Sequence, residues 1–336
     1  MAIKVAINGF GRIGRLVFRI MQEDPFFDVV AINDLTDSSQ LAYLLKYDTS
    51  HRRYRVEDIS SDENNIIIDG KKIRVYSEKE PENLPWKDLN IDVVFECTGF
   101  FTSKEKAEAH IKAGAKKVII SAPAKGDLKT IVYNVNDDTL DGSETVISAA
   151  SCTTNCLAPV MKLLCDNIGV KKGFMTTVHA YTNDQATLDV AHKKGYLSRR
   201  GRAAAANIVP ATTGAASAIG LVIPELKGKL DGTAMRVPVT TGSVIDLTLE
   251  LNRNVTKEEI NNLFINNQNE TIKYTTDPVV SSDIIGITEG ALVDGLLTNV
   301  LESEGKQLVK IVAWYDNEMS YSAQMVRTAK KLANVQ

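Results

Sequence analysis

The first half of the chain alternates short apolar runs, rich in β-branched residues, with segments of helical period. Strands are predicted at residues 3–8, 29–33, 66–68, 73–76, 93–98 and 118–122, and helices include residues 12–22 and 104–113. A run that is apolar throughout, such as Val93, Val94 and Phe95, is typical of a strand covered on both faces. Strands that alternate with helices predict βαβ units and a parallel sheet, which we assign to a domain of residues 1–150.

The second half has longer strands in which apolar and polar residues alternate. Strands are predicted at residues 174–181, 235–239, 244–251 and 308–315, with a helix at residues 155–165. Alternation predicts an antiparallel sheet with one face against helices, in a domain of residues 151–316. An amphipathic helix within residues 317–336 is expected to pack back on the first domain. Residues 183–202 are polar without a clear period, and a loop of that length is usually functional or disordered.

A glycine-rich motif joins the first predicted strand to the first helix. It reads Gly9-Phe10-Gly11-Arg12-Ile13-Gly14, a match to G-x-G-x-x-G in the strand–turn–helix context that dinucleotide binding requires. The first glycine allows the tight turn, the second lets a pyrophosphate approach the backbone, and the third lets helix and strand pack closely. Asp34 ends the second strand, where a carboxylate accepts hydrogen bonds from a ribose 2′-hydroxyl and repels a 2′-phosphate. These features predict an NAD site; the alternative is a glycine-rich turn without a ligand.

Cys152 is the candidate nucleophile. A β-rich run leads through small residues into a helical pattern, so this cysteine is placed near a helix N-terminus. There the helix dipole and free N–H groups favour the thiolate, and we expect a pKa below the usual value of about 8.5. Cys97 and Cys165 are interpreted as small buried apolar residues. Cys156 lies one helical turn after Cys152, and we expect neither a disulfide nor a zinc site from this pair.

His179 is the candidate base. It lies near the end of a long predicted strand, just before the irregular segment. Paired with Cys152, it could stabilise the thiolate and transfer its proton. The alternative is a core histidine that bonds to the backbone, and spacing alone leaves both interpretations open.

The amino-acid composition argues against a nucleic-acid-binding, membrane-spanning or disulfide-rich protein. The 336 residues carry 39 basic and 42 acidic side chains, a net charge of -3, so no global basic field attracts nucleic acid or anionic lipid. No window approaches the roughly 18 apolar residues of a membrane span. Four cysteines do not form a disulfide scaffold, no metal site is expected, and we expect a cytoplasmic protein.

Several segments together resemble the glyceraldehyde-3-phosphate dehydrogenase family over nearly the whole chain. The segments are Asn8–Arg15, Leu44–Thr49, Glu96–Gly99, Ser121–Pro123, Ser151–Asn155, His179–Thr182, Thr213–Ala216, Met235–Pro238 and Trp314–Glu318. The resemblance implies an α/β protein with a Rossmann-type parallel-sheet domain and an α+β catalytic domain with a largely antiparallel sheet. It also implies oxidation of glyceraldehyde 3-phosphate by NAD, through a hemithioacetal and a thioester on Cys152. Inorganic phosphate would then release 1,3-bisphosphoglycerate, as in glycolysis.

The resemblance further assigns roles to individual residues. Cys152 is the nucleophile and His179 the base. The substrate phosphate is assigned to Thr182 and Arg236, and inorganic phosphate to Ser151, Thr153, Arg200, Thr213 and Gly214. The cofactor is assigned to Gly9, Gly11, Arg12, Ile13, Asp34, Lys79, Ser121 and Asn317.

The resemblance also implies a homotetramer in which residues 183–202 pack against a partner subunit. Val190 and Ala191 depart from the family, since NAD-specific relatives commonly have Leu-Pro there. Some tolerance of NADP would therefore be less surprising here than in those relatives, although Asp34 favours NAD.

Three other functions are compared with this one. An erythrose-4-phosphate dehydrogenase would hydrolyse the thioester instead of transferring its acyl group to inorganic phosphate. An aspartate-semialdehyde dehydrogenase would use NADP, which Asp34 disfavours. A secondary adhesin or RNA-binding role could use the basic residues between Lys193 and Arg202, but the net charge of -3 gives RNA binding no support.

Overall fold

The structure, a computed structural model, describes residues 2–193 and 195–335. It divides into two compact units. Unit 1 comprises residues 2–133, 137–151 and 325–335, and unit 2 comprises residues 134–136 and the described part of 152–324. The predicted loop of residues 183–202 includes Lys194, which lies outside the described residues.

Unit 1 is built on a mainly parallel sheet. Its strands are β1 (Ile3–Asn8), β2 (Phe27–Asn33), β3 (Tyr47–Asp48), β4 (Arg52–Arg53), β5 (Ile59–Asp62), β6 (Asn65–Ile68), β7 (Lys71–Tyr76), β8 (Val93–Glu96), β9 (Lys117–Ile120) and β10 (Val146–Ser148). Its helices are α1 (Arg12–Gln22), α2 (Ser38–Lys46), α3 (Trp86–Leu89) and α4 (Lys104–Lys112). The order across the sheet is β10-β9-β8-β1-β2-β7-β6-β5. Strand β6 is antiparallel to both of its neighbours, β5 and β7, and all the other pairs are parallel; β3 and β4 form a separate antiparallel ribbon.

Burial explains why the apolar runs of unit 1 become central strands. All four residues of β8 are buried, as expected for a strand with both faces covered. The core on one side of the sheet gathers small and β-branched side chains around Trp86, which is completely buried. Strand β1 and helix α1 match their predicted bounds, and the other predicted strands and helices of this unit differ from theirs by one or two residues at an end.

Unit 2 is built on a largely antiparallel sheet. Its elements are α5 (Cys152–Asn167), β11 (Val170–Ala180), β12 (Val209–Thr212), α6 (Ala215–Ala218), β13 (Leu230–Val237), β14 (Ser243–Leu251), α7 (Lys257–Asn266), β15 (Ile272–Thr275), β16 (Ala291–Asp294), β17 (Asn299–Ser303) and β18 (Lys306–Tyr315). The order is β12-β13-β11-β14-β18-β16-β15, and β17 pairs with β18. Two pairs, β11 with β13 and β15 with β16, are parallel.

The alternating pattern of β14 shows how this sheet is covered. Ile245, Leu247 and Leu249 are fully buried, while the residues between them are only partly buried. Helix α5 packs against β11, β14, β16 and β18 and against α6, so its first turn lies over the sheet. The last helix, α8 (Met319–Asn334), begins in unit 2 and ends in unit 1. The predicted fold class is confirmed; the predicted domain boundaries stay predictions.

Candidate active site

A cavity of about 380 Å³ opens in unit 1 beside the ends of β1, β2 and β8. Its lining includes Gly9, Gly11, Asp34 and Lys79 from the predicted cofactor set. Its walls also carry two exposed apolar side chains, Leu35 and Phe100. The carboxyl ends of parallel strands are where ligands bind in sheets of this kind, so the cavity lies where a dinucleotide is expected.

The three glycines of the motif meet different constraints. Gly9 has φ +88°, and a Cβ there would lie 2.8 Å from the Thr98 nitrogen. A Cβ on Gly14 would lie 2.1 Å from the Gly9 carbonyl oxygen, so the start of α1 can approach β1 only without a side chain. A Cβ on Gly11 would meet nothing within 4 Å, because this glycine faces open space. Each finding agrees with the reason given for the corresponding glycine from the sequence.

Asp34 is fixed at the edge of the cavity by backbone donors. Its carboxylate accepts hydrogen bonds from the amide nitrogens of Phe10 (2.7 Å) and Thr36 (3.0 Å). A carboxylate oxygen can accept more than one hydrogen bond, so these contacts leave acceptor sites for ribose hydroxyls. The neighbouring Asn33 side chain exchanges two 2.9 Å hydrogen bonds with the Glu78 backbone and so fixes the segment that carries Lys79.

Three other members of the predicted cofactor set lie on the same unit. Arg12, in the first turn of α1, forms a two-pronged ion pair with Asp48, whose side chain is 2% exposed. Burial raises the pKa of Asp48, but hydrogen bonds from His51 and then from Arg12, with the charge of Arg12, hold it far below its usual value. Ile13 follows Arg12 and is partly buried, and Ser121 follows β9 with its amide bonded to the Glu96 carbonyl at 2.9 Å.

Helix α5 begins at Cys152, three residues earlier than predicted. Ala150, just before it, has φ +59°, in the left-handed region that alanine seldom occupies. This turn directs the chain from β10 into the helix. The sulfur of Cys152 lies 3.4 Å from Nε2 of His179, which projects from the end of β11. The structure therefore brings the predicted nucleophile and base together.

His179 is an almost fully buried imidazole beside a cation. Its Nδ1 lies 2.7 Å from the Ala180 carbonyl oxygen and 2.7 Å from Nη1 of Arg236. Burial, and then the charge of Arg236, lower the pKa of His179 to about 3. The ring is therefore neutral at ordinary pH, and a neutral imidazole can accept a proton.

The predicted lowering of the Cys152 thiol pKa is wrong. Burial raises the pKa of Cys152, and it outweighs the charge of Arg236 and hydrogen bonds from Thr153, which lower it. Cys152 lies at the start of a helix, as expected, but the burial of its sulfur is a tertiary property that the sequence pattern did not show.

Two arginines and a carboxylate lie next to the Cys152–His179 pair. Nη1 of Arg236 donates to the Ala180 carbonyl (3.0 Å) and to the Thr182 hydroxyl (3.3 Å). Asp184 accepts hydrogen bonds from both Thr182 and Arg200. The charge of Arg200 contributes to lowering the pKa of Arg236, so each arginine is within electrostatic reach of the other. Two neighbouring guanidinium groups form a site suited to anions.

Comparisons with known proteins follow the division seen in the structure. The family model described as "Glyceraldehyde 3-phosphate dehydrogenase, NAD binding domain" matches residues 3–104, and the C-terminal domain model of the same name matches residues 151–317. The chain is 61% identical to the glyceraldehyde-3-phosphate dehydrogenase of Clostridium pasteurianum over 332 residues, 99% of both chains. It is 56% identical to that of Streptococcus pyogenes over 336 residues, 100% of this chain and 99% of the relative.

The chain belongs to the glyceraldehyde-3-phosphate dehydrogenase family. It is accordingly an NAD-dependent oxidoreductase of the glycolytic type, with NAD as its cofactor. The glycine conformations, the open space at Gly11 and the anchored Asp34 carboxylate fit that cofactor.

The remaining residues that the family resemblance assigned lie on separate segments. Ser151 and Thr153 flank Cys152, and Thr153 is buried. Thr213 and Gly214 immediately precede α6, which packs against α5. Asn317 is buried, and its Oδ1 accepts hydrogen bonds from the Ser243 hydroxyl (2.8 Å) and the Gly242 amide (3.2 Å). The Thr241 hydroxyl lies 3.3 Å from the same oxygen but donates to Asp316 at 2.7 Å.

Sequence reasoning missed two residues that contact this candidate site. Asp184 follows Thr182 by two positions, and its polar setting at the strand end was the available signal. Tyr315 lies at the end of β18, with its ring 5.9 Å from that of His179. Its position depends on the pairing of β14 with β18, which the sequence pattern does not specify.

The structure shows free thiols at Cys97, Cys152, Cys156 and Cys165. Among residues 2–193 and 195–335, no group of three or more His, Cys, Asp or Glu side chains is placed to hold a metal ion. Within the same residues, no helix combines the length and apolar character needed to span a bilayer.

Proposed function

We propose that this enzyme oxidises glyceraldehyde 3-phosphate with NAD and inorganic phosphate, forming 1,3-bisphosphoglycerate and NADH through a thioester on Cys152. The observation that carries the proposal is the Cys152 sulfur at 3.4 Å from Nε2 of a neutral His179, beside the Arg236 guanidinium. The relatives described above are named as glyceraldehyde-3-phosphate dehydrogenases, which supports the substrate and the oxidation.

The first chemical step is proton transfer followed by addition. Nε2 of His179 takes the thiol proton of Cys152, and the thiolate attacks the aldehyde carbon. The resulting alkoxide takes the proton back from His179, which gives a hemithioacetal. Burial keeps His179 neutral beforehand, so the ring is ready to act as the base.

The second step oxidises the same carbon. NAD, when bound, supplies the acceptor for the hydride of that carbon. His179 takes the hydroxyl proton as the carbon–oxygen double bond forms, and a thioester to Cys152 results. The backbone N–H groups at the start of α5 are suited to stabilise the oxyanions on either side of this step.

The third step transfers the acyl group to inorganic phosphate. A phosphate oxygen attacks the thioester carbon and the Cys152 thiolate leaves, which conserves the oxidation energy in an acyl phosphate. We assign the substrate phosphate to Arg236 and Thr182, which already share a hydrogen bond. We assign inorganic phosphate to Ser151, Thr153, Thr213, Gly214 and Arg200.

We assign the cofactor to the cavity of unit 1 and to Asn317. We assign the pyrophosphate and the neighbouring part of the cofactor to Gly9, Gly11, Arg12 and Ile13. We assign the adenosine ribose to Asp34. The exposed faces of Leu35 and Phe100, with Lys79 nearby, suit a planar adenine. We assign Ser121 to the nicotinamide half of the cofactor and the amide of Asn317 to the nicotinamide carboxamide.

The chain is further proposed to be a homotetramer. Residues 183–202 expose Leu188, Val190, Tyr196 and Leu197, each with more than 60% of its surface accessible. A cluster of exposed apolar side chains on one loop is typical of a surface covered by a partner. Light scattering should show a tetramer that Tyr196→Asp weakens. A monomer at micromolar concentration would contradict the assembly.

The deciding experiment measures NADH formation from glyceraldehyde 3-phosphate and NAD, with and without inorganic phosphate. Wild type is compared with Cys152→Ser, which retains the size of the side chain but not its nucleophilicity. We expect phosphate-dependent turnover in wild type and loss of turnover in the variant. Phosphate-independent turnover would point to the erythrose-type reaction, and inactive wild type would point to a binding protein.

A further inference from the structure

A buried carboxylate adjoins the cofactor cavity of unit 1. Glu96, the last residue of β8, is 1% exposed, and its two oxygens accept hydrogen bonds from four donors. Two of the residues that donate, Asn8 and Thr98, line the cavity. Buried ionic groups add little net stability compared with well-packed apolar side chains, so stability alone does not account for Glu96.

The first line of donors reaches Glu96 from the core. The indole nitrogen of Trp86 lies 2.9 Å from Nδ1 of His110, and both side chains are completely buried. An indole N–H can only donate, so Nδ1 accepts and the ring proton lies on Nε2. Nε2 lies 3.1 Å from Oε2 of Glu96 and therefore donates to it. Helix α4, which carries His110, is thereby tied to the end of β8.

The second line of donors reaches the same oxygen along the cavity wall. The Glu78 backbone fixes the orientation of the Asn33 amide, because its N–H donates to Oδ1 and its carbonyl oxygen accepts from Nδ2. The other N–H of Asn33 donates to Oδ1 of Asn8 at 2.7 Å. Asn8 must then turn its NH2 group to Glu96, and Nδ2 lies 2.6 Å from Oε2. Nδ2 of Asn8 and Nε2 of His110 lie 3.3 Å apart because both donate to one oxygen.

The other oxygen of Glu96 holds a third segment. Oε1 accepts hydrogen bonds from the backbone N–H (2.8 Å) and from the hydroxyl of Thr98. Oγ1 of Thr98 in turn accepts from the Phe100 N–H at 3.1 Å. The Phe100 side chain is exposed on the cavity wall, where we assign the adenine. One carboxylate therefore connects residues 8–9, 78–79 and 98–100, and all three segments line the cavity.

We propose that Glu96 is a positioning residue for the cofactor, which holds the wall segments of the cavity in place before NAD binds. The proposal rests on the proposed assignment of NAD to this cavity. Glu96 acts through Asn8, Thr98 and the Glu78 backbone. Their polar groups are already paired with one another, so NAD binding need not order them, and the affinity that such ordering would cost is retained.

The test is calorimetric titration of the full-length protein with NAD, in the absence of aldehyde. Glu96→Gln keeps the shape of the side chain but replaces one acceptor oxygen by an NH2 group. That group faces donors in either orientation, Asn8 and His110 on one side or Thr98 on the other. We expect the Kd for NAD to rise about tenfold. In turnover, KM for NAD should rise as well, whereas kcat and KM for glyceraldehyde 3-phosphate should stay within about twofold.

A matched control is Glu144→Gln. Glu144 is another buried carboxylate of unit 1, and it accepts hydrogen bonds from Lys129 and from the Gly142 N–H (3.1 Å) instead of from residues that line the cavity. The substitution should lower the urea midpoint and leave the Kd for NAD unchanged. Unchanged NAD affinity in Glu96→Gln, or an equal loss of affinity in Glu144→Gln, would overturn the proposal.

A second pair of variants covers the case in which Glu96→Gln does not fold. His110→Leu removes the donor to Glu96 and the acceptor for Trp86, whereas His110→Gln has an amide that supplies both kinds of group. The Kd for NAD should rise in His110→Leu and return towards the wild-type value in His110→Gln. Equal affinity of wild type and His110→Leu would contradict the role of the network.

Gly11→Ala separates this proposal from the cofactor assignment. Its added Cβ meets nothing within 4 Å and projects into the space assigned to the pyrophosphate. If Gly11→Ala binds NAD as tightly as wild type, the cofactor does not occupy this cavity, and the assignment fails. If Gly11→Ala weakens binding and Glu96→Gln does not, only the role of Glu96 fails.

Discussion

Two alanine substitutions in the glycine motif should separate folding from cofactor binding. Gly14→Ala places a Cβ 2.1 Å from the Gly9 carbonyl oxygen, more than 1 Å inside ordinary contact at about 3.4 Å. Because the obstacle is backbone, α1 must move away from β1. Overpacking of this kind costs about 3 kcal/mol, and the better helix propensity of alanine returns about 1 kcal/mol. The free energy of unfolding should fall by about 2 kcal/mol.

Gly11→Ala is the matched control from the same turn. Its added Cβ meets nothing within 4 Å, and its φ of -74° suits any residue, so we expect a loss of at most about 1 kcal/mol from the changed helix cap. The methyl group does, however, project where the pyrophosphate is proposed to approach. NAD affinity should fall at least about tenfold, equivalent to about 1.4 kcal/mol.

Urea unfolding without cofactor and calorimetric titration with NAD measure the two effects separately. The expected pattern is a large stability loss in Gly14→Ala and a large affinity loss at near-normal stability in Gly11→Ala. Wild-type affinity in Gly11→Ala, or equal destabilisation by both variants, would refute the assignment of separate roles to the two glycines.

Three further predictions concern charge. Unfolded histidine takes up a proton below pH about 6.5, whereas folded His179 does so only near pH 3, so stability should fall as pH decreases between these values. Urea unfolding should show a smaller fall in His179→Asn, and an identical fall would contradict the assignment. Arg12→Ala removes the arginine that forms an ion pair with the buried Asp48 carboxylate, and it should lower the free energy of unfolding by about 3 kcal/mol. The double variant Arg12→Ala with Asp48→Ala should recover part of that loss. An unchanged urea midpoint in Arg12→Ala would refute this prediction. NADP should support under about a tenth of the NAD rate, and Asp34→Ala should narrow the gap, because Asp34 repels a 2′-phosphate. Equal rates with the two cofactors in wild type would exclude that role.

Local sequence was sufficient where local chemistry decides the structure. The bounds of β1 and α1 followed from the strand–glycine–helix pattern, since the close approach at Gly14 permits little else. In this case the residues that carry the signal lie within a few positions of each other. Cys152 and His179 lie 27 positions apart, and their pairing was anticipated because the family resemblance assigned them as nucleophile and base.

The sequence was insufficient where strand pairing or burial decides. The raised pKa of Cys152 reflects burial by segments distant in the chain. Tyr315 reaches Thr153 only because β18 pairs with β14, and periodicity does not encode strand order. The parallel pairing of β11 with β13 inside a mostly antiparallel sheet was missed for the same reason.

The anchoring of Asn317 has a consequence for molecular recognition. A side-chain amide usually presents two nearly equivalent ends, and a rotation by half a turn exchanges acceptor for donor. Here the Gly242 amide and the Ser243 hydroxyl hold the oxygen, so inversion would forfeit two hydrogen bonds, each worth about 1 kcal/mol. The outward end of Asn317 is thereby committed to its N–H groups. In the proposed complex these N–H groups meet the carbonyl end of the nicotinamide carboxamide, so the ring binds in one of its two orientations.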